Sequence, residues 1–221
     1  MKEALIVWGG WPGHEPEPCA AIVAGMLQEQ GFRTHVEPYT GAATPGAPSA
    51  FGRYDLASLS LIVPIITQSV ITKDEALKLC AAVEGGVGMA GFHGGMCDAF
   101  RDSIWYQFMT GGQWVAHPGN IIDFRVNVTR PDDPVMQGIG DFDYRSEQYY
   151  MHVDPANEVL ATTTFSGEHA EWTRGVVMPV VWKRRYGQGR VFYSALGHVS
   201  AEFKVPQMRT LLARGMAWAA R

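Results

Sequence analysis

Cysteine is scarce in this chain, with three in 221 residues, at positions 19, 80 and 97. The number is odd and no two are spaced as a redox or metal-binding pair, so a reducing, cytoplasmic setting is the expectation. Charge is also scarce, at 18% of residues with a formal net charge of -4. That excludes the broad cationic surface that a nucleic-acid partner requires. The one basic run, Lys183-Arg184-Arg185, precedes a turn and is read as a solvated hairpin end. No apolar run reaches membrane-spanning length, so no membrane partner is expected. The apolar start at residues 4–8 is too short for the core of a secretion signal and reads as a strand. Neither a repeat nor a linker-like stretch interrupts the sequence, so one domain over residues 1–221 is expected, a size that suits a single α/β unit.

Glycine, by contrast, is plentiful at 25 residues, and it punctuates an alternation of apolar runs and helical patterns. Residues 4–8 read as a first strand and 15–30 as a helix, with Pro16 and Pro18 tolerated in its first turn and Gly31 as its stop. A second strand spans 32–37, 39–50 reads as a surface loop, and 56–66 reads as a third strand. Thr72 with Glu75 forms a capping box for a helix to about residue 83, closed by Gly85-Gly86. The fourth strand, 87–92, is apolar throughout, as a strand covered on both faces must be. It enters the tight turn His93-Gly94-Gly95, which leads into another helix. Such βαβ alternation predicts a doubly wound parallel sheet. The second half changes character. A helix at 102–110 is stopped by Gly111-Gly112, strands follow at 120–129, 145–153 and 159–165, and a short helix follows the turn at 131–134. A hairpin joins 176–184 to 190–195, and an amphipathic helix closes the chain at 206–220, with Met208, Leu211, Leu212, Met216 and Trp218 along one stripe. The expected fold is α/β, with a mostly parallel sheet and an antiparallel extension.

In an open parallel sheet the loops leaving the carboxyl ends of the strands converge on one crevice. His14, His93 and His198 each follow such a strand, and Glu147 and His152 lie in the 145–153 strand. Imidazoles beside a carboxylate suit proton transfer near neutral pH, and they equally suit a divalent metal such as Zn or Mn, with His14, His93 and His198 as the candidate ligands. Each candidate has a plainer competitor. His14 and His93 could cap the helices that follow them, Glu147 could pair with Arg145 across a strand surface, and His152 could face solvent before the Asp154-Pro155 turn. His117, in a His-Pro-Gly loop, could rim the site. Trp8 and Trp11 flank the first glycine loop, where aromatic faces would stack on the C–H faces of a sugar, although packing is the favoured role for Trp8. Trp172, in a polar loop, is a candidate lid residue.

Taken together, Gly91-Phe92-His93-Gly94-Gly95, Trp105, Gly111-Gly112, His117-Pro118 and the segment Tyr186-Gly-Gln-Gly-Arg-Val-Phe-Tyr-Ser-Ala-Leu-Gly-His198 resemble the trehalose-utilisation ThuA-like family nearly end to end. The resemblance implies a class I glutamine amidotransferase-like fold, a flavodoxin-like three-layer sandwich. In amidotransferases of that fold a cysteine occupies the elbow where His93 stands here, and an imidazole cannot form the required thioester, so glutaminase activity is not expected. Cys97 lies too far along to replace the missing thiol. The resemblance further implies a 3-keto disaccharide substrate of the 3-keto-trehalose type and, from family habit, a homodimer. The chemistry expected is isomerisation of a 3-keto to a 2-keto sugar through an enediol. Glu147 or His152 would be the base, His93 and His198 would move the second proton or polarise the carbonyl, and His14 would complete the site. The alternatives are a non-catalytic sugar- or partner-binding domain that uses Trp8, Trp11 and Trp172, and a metal-dependent lyase or hydrolase of keto-sugars.

Overall fold

The computed structural model describes residues 1–41 and 48–221. Its centre is a nine-stranded mixed sheet in the order β2-β1-β3-β4-β11-β10-β9-β6-β7. The first five strands are parallel: β2 (Arg33–Pro38), β1 (Glu3–Gly10), β3 (Leu61–Thr67), β4 (Gly88–Phe92) and β11 (Gly189–Ser194). The remaining four are antiparallel to their neighbours: β10 (Val177–Tyr186), β9 (Glu158–Thr164), β6 (Ile121–Val128) and β7 (Phe142–Glu147). This is the expected α/β sheet, its parallel half in the flavodoxin-like strand order and its second half the antiparallel extension.

The parallel strands are apolar because both of their faces are covered. β3 is buried at every position, as is β4. Helices α1 (Pro16–Glu29) and α6 (Pro206–Ala219) pack on one side, and α6 buries Met208, Leu211, Leu212 and Met216 of the expected stripe. Its Trp218 is only half-buried and lies under Lys183 and Arg190 instead. α2 (Ala50–Arg53), α3 (Lys73–Glu84) and α5 (Ile104–Thr110) group together elsewhere on the sheet. The Thr72 hydroxyl accepts from the Glu75 N–H, one half of the capping box, while the Glu75 carboxylate accepts instead from the Ser49 N–H.

Several expected elements are shifted. The third strand begins at Leu61 and not at residue 56, because Leu56–Ser58 forms a 3-10 turn that buries Leu56. The helix after His93 is a single turn, α4 (Gly94–Cys97). Past it, the Asp98 and Ala99 carbonyls accept from Gln68 and Ser69 in the loop after β3, which takes them out of any helical ladder. Residues after Pro134 form turns and no helix. The 145–153 strand is broken at Gln148 and Tyr149. Its second piece, β8 (Tyr150–Val153), pairs with the unexpected β5 (Gly112–Ala116) in a separate two-stranded sheet. The basic run at 183–185 is not solvated. β10 is an interior strand, so Lys183 and Arg184 are buried and paired, Lys183 with Asp133 and Arg184 with Asp154 at 3.2 Å. Of the expected loop at 39–50, residues 42–47 lie outside the described residues.

Candidate functional site

In the parallel half the strand order reverses direction at β1 and β3, the position where a crevice opens beyond the carboxyl ends. His14 stands in a 3-10 turn (Pro12–His14) just past β1, and its Nδ1 lies 2.9 Å from the hydroxyl of Thr67, the last residue of β3. Gly10 makes this approach possible. It has φ of +80°, and a Cβ there would meet the Thr67 carbonyl oxygen at 1.8 Å. His93 follows β4 and His198 follows β11, so three parallel-sheet loops deliver three imidazoles to one rim. The ring centroids lie 4.8 Å (His14 to His93), 4.9 Å (His14 to His198) and 5.5 Å (His93 to His198) apart.

Glu147 arrives from the other half. It ends β7, four strands beyond β11, a separation of about 19 Å in a flat sheet at about 4.8 Å per strand. Yet its Oε2 lies 3.1 Å from His93 Nε2, 3.5 Å from His198 Nδ1 and 3.8 Å from His14 Nε2, so the extension curls back over the parallel strand ends. A fourth imidazole, His117, places Nε2 3.6 Å from Glu147 Oε1. The curl is held by the 3-10 turn Ser200–Lys204, whose Glu202 accepts hydrogen bonds from Tyr144 and from Ser146.

The plainer roles weighed for these residues do not occur. Neither His14 nor His93 caps a helix with its side chain. Arg145 pairs with Asp123 at 2.7 Å and leaves Glu147 to the histidines. His93 is instead fixed from all sides. Its Nδ1 lies 3.0 Å from the Ala195 carbonyl, its own carbonyl accepts from the Tyr193 hydroxyl, and its ring stacks on Tyr149 at 4.2 Å. Its φ of +48° is strained for a residue with a Cβ. The other non-glycine residues with positive φ are Glu15, Gln68 and Asn120, so among the described residues all four of these outliers lie at or beside this rim. Backbone strain of this kind collects at functional sites.

Burial pushes the His93 imidazole down to about 4, against the opposing pull of Glu147. Burial alone would raise the Glu147 carboxyl, but the close imidazoles of His14, His198 and His93 outweigh it and hold the group well below the usual carboxylate range. His198 is raised, chiefly by its contact with Glu147. The Cys97 thiol is pushed well up by burial, as befits a structural cysteine.

His14, Glu147 and His117 line a cavity of about 320 Å³, near the lower end of the range for small-ligand sites, with His93 and His198 set behind them. Trp11, 43% exposed, stands at its mouth edge-on to His14. Trp114 lines the opposite side with Arg101 over its face at 4.6 Å. Asp98, held by Arg101 through two hydrogen bonds, Gln68, Asn120 and Tyr149 complete it. Trp114 Nε1, His117 Nδ1 and His198 Nδ1 are buried atoms with no hydrogen-bond partner among the described residues.

Of the residues expected at the site, His14, His93, Glu147 and His198 meet, and Trp11 and His117 rim them. His152 is not brought there: it is exposed on β8 opposite Gln113, where the break at 148–149 carries it away from Glu147. Trp8 packs half-buried against the core, and Trp172, 87% exposed, does not line the cavity. Sequence reasoning missed Thr67, Gln68, Asp98, Trp114, Asn120 and Tyr149. Thr67 was findable, because it ends a parallel strand as the histidine-bearing positions do.

The sequence model of the trehalose-utilisation family, ThuA, matches residues 3–219. No curated protein matches the chain. Among solved structures, a ThuA-like protein from Parabacteroides merdae superposes with a TM-score of 0.78 at 17% identity, over 99% of this chain and 89% of that one. One from Bacteroides uniformis gives 0.77 at 20% identity, over 99% and 91%. A protein of Salmonella typhimurium described as cytoplasmic gives 0.67 at 11% identity, over 99% and 100%. At these identities the likeness concerns the fold. No helix among the described residues is long and apolar enough to cross a membrane.

Proposed function

The chain belongs to the ThuA, or trehalose-utilisation, family, and from that premise we propose that it is an enzyme converting a 3-keto glycoside, of the 3-keto-trehalose type, to its 2-keto isomer through an enediolate. The observation that carries the reading is the Glu147 carboxylate, surrounded by four imidazoles at the wall of a small cavity. A ketone at C3 acidifies the C2–H bond. The base takes that proton, and the electrons of the broken bond form the C2=C3 double bond with negative charge on O3. The proton on O2 passes to O3, and the carbon-bound proton returns at C3, leaving the carbonyl at C2.

The roles follow from the surroundings of each group. A carboxylate held as strongly ionised as Glu147 is a poor base, so the cluster of Glu147, His14, His93 and His198 is assigned to the sugar oxygens, where it stabilises the enediolate. His117 is the group left to carry the carbon-bound proton. It faces the cavity, and its Nδ1 has no partner within the protein among the described residues. Trp11 offers an aromatic face to the ring of the sugar. The strained backbone at His93 and Gln68 supports catalysis over a shell that only binds, because a decayed site has no use for stored strain. Three free, buried cysteines support a reducing, cytoplasmic setting.

The test is incubation with 3-keto-trehalose in deuterated buffer. A 2-keto product with deuterium at the C3 carbon is expected. Binding without exchange would leave the non-catalytic sugar-binding reading, and free glucose as the first product would mean a hydrolase or lyase.

A further inference from the structure

The histidine cluster is short of positive charge for the contacts it makes. His93 has an acceptor at each nitrogen, the Ala195 carbonyl at 3.0 Å and Glu147 at 3.1 Å. A neutral imidazole carries one N–H, and the carbonyl can only accept, so the hydrogen belongs on Nδ1 and Nε2 turns its lone pair toward the carboxylate. His14 Nε2 and His198 Nδ1 also approach the same Glu147 oxygen. His14 and His198 could each turn the N–H of a neutral ring to that oxygen, whereas His93, with its hydrogen committed to the Ala195 carbonyl, leaves a lone pair facing the carboxylate unrelieved. One doubly charged ion between them accepts that lone pair, those of the other two rings and the carboxylate together.

We infer that His14 Nε2, His93 Nε2, His198 Nδ1 and a Glu147 oxygen hold one divalent first-row transition ion, with zinc as the type. The four ligand atoms all lie within 4.8 Å of one another. Bonds of about 2.1 Å in tetrahedral geometry set ligand atoms roughly 3.4 Å apart. The three nitrogens stand 3.1, 3.5 and 3.8 Å from Glu147 Oε2, on either side of that value. The outer contacts also fit. A metal-bound histidine uses its other nitrogen in a fixed hydrogen bond, as His93 does with the Ala195 carbonyl and His14 with the Thr67 hydroxyl. Three imidazoles with one carboxylate suit zinc or manganese far better than calcium or magnesium, which favour oxygen ligands. The cavity side of the cluster leaves room for a further ligand, as catalytic sites require. The inference deepens the reading above and rests on it for one point only, that the ion grips the two oxygens of the enediolate.

The experiment is titration of the chelator-treated full chain with zinc chloride, followed by calorimetry and by elemental analysis after desalting. One zinc per chain is expected, and cobalt(II) in its place should give the visible absorption bands of a four- or five-coordinate ion. His14→Ala and His198→Ala should each weaken zinc binding more than 100-fold, Thr67→Val by about 10- to 100-fold as the loss of an outer partner, and His152→Ala not at all. Failure of the wild-type chain to bind zinc or manganese stoichiometrically would overturn the inference, as would equal loss in His152→Ala. Because wild-type binding is read directly, variants that fail to fold do not protect the idea. Stoichiometric zinc without deuterium exchange would remove the isomerase reading and leave the metal centre standing. Exchange by a metal-free chain would do the reverse.

Discussion

The two halves of the sheet supply different parts of the site. The parallel half delivers His14, His93 and His198 from the carboxyl ends of β1, β4 and β11, strands packed into the core, so each ring inherits its position from the core. The antiparallel half supplies Glu147 from an edge strand, brought there by a curl and held by the half-buried Glu202 contacts. The difference teaches that the imidazoles are placed by the oldest rule of open α/β sheets, whereas the carboxylate is placed by a local device peculiar to the extension.

The largest test of that division is Glu147→Gln, which keeps the shape and removes the charge that joins the halves. Its exchange rate should fall about 10³-fold, equivalent to about 4 kcal/mol of transition-state stabilisation, with circular dichroism unchanged. Next is Lys183→Met, which strands the buried Asp133 carboxylate inside the extension. It should destabilise the fold by about 3 kcal/mol in urea titration, with Asp133→Leu in the same chain recovering most of the loss. In the parallel half, Gly10→Ala forces a side chain against the Thr67 carbonyl and should lower stability by about 2 kcal/mol, whereas Gly140→Ala in the extension, with open space around it, should stay within about 0.5 kcal/mol. If Gly10→Ala were tolerated, the β1–β3 contact would not be what sets His14. The smallest effect is Thr72→Ala, which removes the α3 cap far from the seam and should cost about 1 kcal/mol, with exchange unaltered.

The same division explains what could be read from the sequence. The strands of the parallel half are apolar runs bounded by glycine, and their carboxyl ends name His14, His93 and His198 without coordinates. The hairpin of β10 and β11 was equally plain from Tyr186-Gly187-Gln188-Gly189. The extension was harder. Its alternation ran unbroken through residues 145–153, and a period of two does not record a strand that changes sheet. The break comes from Gln148, whose buried amide donates to Thr163, and from Tyr149, whose ring turns to stack on His93. Both are tertiary choices. The misreading of His152 follows from this, since it lies five residues from Glu147 on what looked like one strand. Lys183 and Arg184 misled for a related reason, because their partners Asp133 and Asp154 lie 50 and 30 positions away in regions read as turns. Gln68 gave no signal, since nothing in its residue type marks a positive φ, whereas Asn120, following Pro118-Gly119, is of the type most often found at such angles.

The four left-handed residues around the rim carry one more consequence. A scaffold freed of its chemistry would gain by exchanging Glu15 or Asn120 for glycine, which adopts such angles at no steric penalty. On the proposed isomerase reading the chain keeps a spring wound at that rim, and a homologue without the activity should be recognisable by the relaxed, glycine-filled turns it has put in their place.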